Sequence, residues 1–215
     1  MNKSVFSRVC NILLSAGMLM AMLFNVSMAE ETTPDVMVKN VTNEVLEIIR
    51  KDKEIQSGNT KKAIGLVEAK VLPNFDFNRM TSLAVGRDWR AATPEQRKVL
   101  VEEFHTLLVR TYSNALTAYK NQVIDFKPFK MTAGATDVTV RTEVKQAGAK
   151  PISIDYSLEN KTGSWKVYDV VVGGVSLVTS YRDQFKQEIT TGGLDGLIKS
   201  LQTKNQGPVP VPANK

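Results

Sequence analysis

Cysteine and histidine are almost missing from this chain. Cys10 and His105 are single residues among 215. One cysteine closes no disulfide, so a stapled secreted scaffold is excluded. One histidine and one cysteine fall short of a zinc site with nitrogen and sulfur ligands. His105 lies beside Phe104 inside a helical pattern, with no base or nucleophile spaced to work with it, which favours packing over catalysis. The chain also lacks a nucleophile elbow, a phosphate-cradling glycine loop and a dinucleotide fingerprint. No cofactor is called for. The formal charge of +6 comes without a basic cluster interleaved with aromatics, so no nucleic-acid partner is expected, although contact with an anionic membrane surface is compatible with it.

Long apolar runs are scarce as well. The one present, Ile12 to Phe24, is shorter than the roughly 20 residues of a membrane span. Lys3 and Arg8 precede it and Ser27-Met28-Ala29 follows, the small-x-small pattern read by signal peptidase. Residues 1–29 therefore read as a cleavable signal peptide, cut after Ala29. Cleavage removes Lys3 and Arg8 and lowers the charge from +6 to +4. Cys10 precedes the apolar run, which does not suit a lipid anchor.

Past the signal the pattern is helical. Val38, Val41, Val45, Ile48 and Ile49 form a stripe from Pro34 to about Ile55, and Ile64, Val67 and Val71 form a shorter one ended by Pro73. Phe75 and Phe77 flank Asp76, a pattern that suits either a rim over something apolar or core residues around a helix cap. Thr93-Pro94-Glu95-Gln96 is a capping box with proline at the first helical position. The helix it starts is expected to reach Tyr119 and to lay a broad apolar face on a sheet.

That sheet follows it. Val123 to Lys130 reads as an edge strand, because Pro128 removes a ladder donor. Asp137–Lys145 and Ile152–Leu158 alternate apolar with polar, the mark of antiparallel strands with one wet face. The next stretch, Gly163 to Phe185, organises the rest. Trp165, Val167, Asp169 and Val171 alternate with Lys166, Tyr168, Val170 and Val172, so both faces of this strand are largely apolar. Gly173-Gly174 turns the chain, and Val175, Val178, Tyr181, Arg182, Phe185 and Ile189 then recur at helical spacing. An apolar strand folded onto an amphipathic helix is the wall of a core or of a cavity; both readings stand. Asp169 has two readings as well: a general base facing a cavity, or a carboxylate held by Arg182 or by backbone donors at the turn. A short helix through Leu194, Leu197, Ile198 and Leu201 and a proline-rich tail, residues 207–215, end the chain. Helices, then a strand meander, then helix argue an α+β fold: helices on one face of a curved antiparallel sheet of about four strands.

The run W-K-V-Y-D-V-V-V-G-G-V-S-L-V-T-S-Y-R-D-Q-F (Trp165 to Phe185) resembles the signature of the MlaC family, the toluene-tolerance proteins that bind phospholipid in the periplasm. V-L-P-N-F-D-F-N-R-M (Val71 to Met80), T-P-E-Q with F-x-x-L-L-V-R-T-Y (Phe104 to Tyr112), and G-G-L-D-G-L-I-K-S-L (Gly192 to Leu201) are similar to the family too. The resemblance implies an NTF2-like cone with an internal apolar cavity and one lipid-binding domain over residues 30–206. It implies a monomeric periplasmic carrier, not an enzyme, that maintains outer-membrane asymmetry. Its partners would be phospholipid, an inner-membrane ABC transporter with an MCE-domain subunit, and an outer-membrane lipoprotein–porin complex.

Exposing acyl chains to water costs about 0.8 kcal/mol per methylene, so a carrier must supply a dry, nearly chargeless lining. The candidates for it are Phe75, Phe77, Met80, Leu83, Leu108, Tyr112, Val140, Ile154, Tyr156, Tyr168, Val170, Val172, Val175 and Leu177. Arg87 and Arg90 are candidates for the mouth. The competing function is an enzyme of the ketosteroid-isomerase type, using the same cone with Asp169 as general base.

Overall fold

The structure is a computed structural model that describes residues 32–207. The expected signal peptide with its cleavage site, and the tail from residue 208 onward, lie outside the described residues. Helix α1 (Pro34–Lys51) begins with extended Thr33 and with Pro34 in the first turn. It stops at Asp52, whose carboxylate accepts hydrogen bonds from the Glu54 and Ile55 N–H groups and so starts a new turn, α2 (Lys53–Gln56). The helix expected to run unbroken to Ile55 is therefore two. Helix α3 (Thr60–Leu66) widens into a π-helical turn, Val67–Val71, and tightens into a 3₁₀ turn, Leu72–Asn74.

Asp76 caps α4 (Phe77–Val85) by accepting from the Arg79 N–H at 2.8 Å. The expected capping box is present at α5 (Pro94–Tyr112): Gln96 N–H donates to the Thr93 hydroxyl, and Thr93 N–H to the Gln96 side chain. α5 ends at Tyr112 instead of Tyr119, and a separate turn, α6 (Asn114–Thr117), follows.

The sheet is an antiparallel meander in the order β1 (Val123–Phe126), β2 (Asp137–Lys145), β3 (Ile152–Asn160), β4 (Trp165–Val172), β5 (Val175–Ser176). The fifth strand exceeds the expected four; it is the stub that Gly173-Gly174, both at positive φ, folds back against β4. Beyond β5, the N-terminal half of the same β4 edge is covered by Phe75, bridged to Val167, and by Asp76, whose N–H donates to the Val167 carbonyl at 2.9 Å. Helix α7 (Leu177–Gln206) turns back on itself at Gly193 (φ 66°), so that Glu188 meets Ser200 and Lys204.

One expectation about faces does not hold. Leu158 pairs with Val167, but Ser157 pairs with Asp169, which leaves Tyr168 as an extra residue in a β-bulge. The bulge shifts the alternation by one residue. Trp165 and Val167 join Val170 and Val172 on one face, and Asp169 and Val171 fall on the other.

A second expectation fails too. The long helix α5 does not rest on the sheet. Its Leu100, Phe104, Leu107 and Leu108 pack against Met80, Ala84 and Val85 of α4 and Val178, Phe185, Leu197 and Leu201 of α7. A stripe that wide needs apolar partners, and two helices meet the need as well as a sheet does. The sheet is covered instead by α1, whose Val38 joins Val140, Leu158, Trp165, Val167 and Val170. The C-terminal half of α1 closes a third cluster with Ile55, Ala63 and Leu66.

Candidate functional site

Cross-strand pairs place one row after another on the inner face of the sheet. Val138, Leu158 and Val167 form one row, and Val140, Tyr156 and Val170 the next. Thr142, Ile154, Val172 and Val175 form a third. Thr142 is the polar member, and it is satisfied: its hydroxyl donates to the Ile154 carbonyl at 3.0 Å.

Burial along this face is graded. Val140, Leu158, Val167 and Val170 are buried beneath Val38. Ile154, Tyr156 and Leu177 are half-buried. At the far end Val172 is 38% exposed, Ile152 50% and Val175 58%. Tyr156 lies at the transition. Burial pushes its phenol above the ordinary value, with the Thr142 hydroxyl opposing, yet the residue keeps accessible surface. Tyr156 is thus crowded by its neighbours without being sealed from solvent.

The other candidates lie in the helical layer. Met80 and Leu108 are buried there, with Phe77 and Leu83 packed against them. Phe77 meets His105 edge-on at 4.7 Å between ring centres. Phe75 stacks on Phe77 at 6.0 Å and touches both the helical cluster and the sheet face, so it is the hinge point of the two groups. Tyr112 sits at the surface end of α5, its hydroxyl paired with that of Tyr181; burial, then the neighbouring Tyr112, pushes Tyr181 up to about 12. Tyr168, the bulged residue, donates to the Asp137 carboxylate at 3.0 Å and lies under the Arg79 guanidinium at 5.7 Å.

The structure thus brings Val140, Ile154, Tyr156, Val170, Val172, Val175 and Leu177 together and sets Phe77, Met80, Leu83, Leu108, Tyr112 and Tyr168 apart from them. It also adds residues to the sheet face that sequence reasoning missed: Met37 and Val38 of α1, Phe126 and Phe129 from the edge, and Val138, Leu158 and Val167. The helical stripe of α1 was legible, but nothing local says which surface it covers.

Asp169 is fully engaged as a structural acceptor. Its carboxylate receives the Val170 N–H at 2.8 Å, the Ser176 hydroxyl at 2.6 Å and the Val178 N–H at 3.2 Å. It therefore ties β4 to the start of α7, and it points away from the apolar face. The backbone-donor reading is the one observed. Arg182, the other suggested partner, donates instead to the Leu83 carbonyl at 3.0 Å. Arg87 and Arg90 sit exposed on the 3₁₀ turn between α4 and α5. That turn is held by Arg97, which stacks over Trp89 at 5.4 Å and donates to the Trp89 and Arg90 carbonyls.

Comparison with known proteins agrees with this architecture. A family model described as MlaC protein matches residues 39–203. The toluene tolerance protein ttg2D of Pseudomonas putida is 31% identical over 164 residues, 76% of this chain and 76% of that protein. The intermembrane phospholipid transport system binding protein MlaC of Haemophilus influenzae is 26% identical over 182 residues, 83% of this chain and 85% of that one. Among solved structures, the phospholipid-binding protein from Ralstonia solanacearum in complex with a phospholipid superposes with a TM-score of 0.75 at 39% identity, covering 80% of this chain and 96% of that one. Matched along most of its length by family model, relatives and fold alike, the chain belongs to the MlaC family.

Proposed function

We propose that this protein is a phospholipid carrier that holds acyl chains against the inner face of the sheet and leaves the head group outside. The graded burial of that face carries the reading: apolar rows closed under Val38 at one end pass through half-buried Ile154 and Tyr156 to open Val172, Ile152 and Val175. A finished core would bury Val172 and Val175 as it buries Leu158 and Val167. Apolar surface left open gains about 25 cal/mol per Å² when a chain covers it, and the alkyl tail loses its own contact with water at the same time. No charged side chain shares these rows, so the lining recognises tails more than head groups, and broad head-group tolerance follows.

Among the described residues no helix is long and apolar enough to cross a membrane. The carrier works in the periplasm, delivered by its signal peptide. It exchanges lipid with an inner-membrane ABC transporter bearing an MCE-domain subunit and with an outer-membrane lipoprotein–porin complex, which keeps the outer membrane asymmetric. The enzyme alternative has lost its base, because Asp169 is committed to Ser176 and two backbone donors on the far side of the strand.

Native mass spectrometry of the purified chain tests the carrier. Phospholipid is expected to co-purify, and Ile154→Trp is expected to displace it by filling the transition zone. A chain that retains no lipid, or an Ile154→Trp variant that retains as much as the parent, would contradict the reading.

A further inference from the structure

The open end of the sheet carries a second feature, which concerns how cargo enters and which rests on the carrier reading. Three segments converge there. The β2–β3 hairpin supplies Lys145, Lys150 and Ile152; the Gly173-Gly174 turn supplies Val172 and Val175, with the Gly173 N–H donating to the Ser153 carbonyl at 2.9 Å; and the lead into β1 supplies Lys120 and Val123. Gln122 ties the last to the first by donating to the Gln146 side chain at 3.2 Å. Val123 is 61% exposed, the most open of the large apolar residues among the described ones, on the face opposite Val172 and Val175.

This rim therefore shows apolar side chains on both faces, flanked by exposed Lys120, Lys145 and Lys150. Of these, Lys145 pairs with Asp125 at 2.7 Å. Valine and isoleucine tips ringed by lysines match the boundary between acyl chains and anionic head groups. We propose that this rim docks on an anionic phospholipid bilayer, seating the mouth of the recess on the membrane so that a tail passes between bilayer and lining without crossing water.

Flotation of the purified full chain with vesicles tests this. Vesicles of phosphatidylcholine alone are compared with vesicles of phosphatidylcholine mixed with phosphatidylglycerol. The chain is expected to float with the anionic vesicles, and to be released as salt screens the lysines. Each of Lys120→Gln and Lys150→Gln is expected to weaken binding about fivefold. Val175→Asp, at an exposed position that leaves the core intact, is expected to weaken it by a similar or larger factor.

Equal flotation on both vesicle types, no flotation at all, or binding unchanged in all three variants would overturn the proposal. So would a rim that pairs two copies of the chain instead, seen as a dimer that the same variants dissociate. Native mass spectrometry on the same samples separates the two readings. Cargo retained with no vesicle binding sinks the docking rim alone, whereas a chain without cargo removes the carrier on which it rests.

Discussion

The helical cluster and the sheet face are built from the same kinds of side chain and finished in opposite ways. In the helical cluster Leu100, Phe104 and Leu201 are wholly buried, and Phe104 packs edge-on against both Tyr181 and Phe185 at 5.1 Å. On the sheet face Leu158 and Val167 of the first row are as well buried, but the third ends in open Val172 and Val175. Hydrophobic residues at the right period do not by themselves say whether a surface is closed. The number of elements that reach it does. The helical cluster is enclosed by α4, α5 and both arms of α7, whereas the sheet face has α1 and a few edge residues over one end of it. Burial is complete in the first region, and the second leaves apolar surface uncovered at its open end.

This contrast breaks most readily at Phe104. Phe104→Ala is expected to cost about 3–5 kcal/mol by chemical denaturation, the loss typical of a large aromatic deleted from a closed core. A loss under about 1 kcal/mol would mean that the helical cluster is as loosely finished as the sheet.

Asp169 sharpens the comparison, because it fastens one region to the other at the junction of β4 and α7. Asp169→Ala is expected to lower stability by about 1–3 kcal/mol, since it strips the acceptor from Val170, Ser176 and Val178. Lipid retention by the folded variant should be unchanged. A variant of full stability that had lost function would revive a chemical role for this carboxylate.

A smaller effect is expected at His105, in the helical layer. Burial lowers its pKa from the ordinary 6.5, with Glu68 opposing. The unfolded chain therefore takes up the proton first as pH falls. Stability is full above about 6.5 and declines as the pH drops through and below that value. His105→Gln should flatten the decline, as followed by thermal melts across that range; an unchanged pH profile would show that His105 makes no contribution to it.

The smallest change belongs to the open end. Val175→Ser should move the stability of the lipid-free chain by no more than about 0.5 kcal/mol, because the side chain is already exposed. A larger loss would mean that the row is packed after all.

Much of the architecture was legible in the residues. The capping box at Thr93, the alternation in β2 and β3, and the Gly173-Gly174 turn each act through neighbours in sequence, so each could be read there. What escaped is tertiary. The bulge at Tyr168 has no glycine or proline to announce it, and it reverses which residues of β4 share a face. The choice of α1 over α5 as the cover of the sheet depends on competition between two apolar stripes, which neither stripe reveals. Those two facts explain why the candidate lining divides between the regions. Val140, Ile154, Tyr156, Val170, Val172 and Val175 stand on one face, and Met80 and Leu108 are spent in the helical core.

Photo-crosslinking with a phospholipid that carries a diazirine near the end of an acyl chain asks the question most directly. After loading and irradiation, the account predicts adducts on β3 and β4 peptides, at Ile154, Tyr156, Val170 and Val172. Adducts confined to the helical cluster around Phe104 and Leu201 would contradict it, as would a loaded protein whose sheet face stays unlabelled.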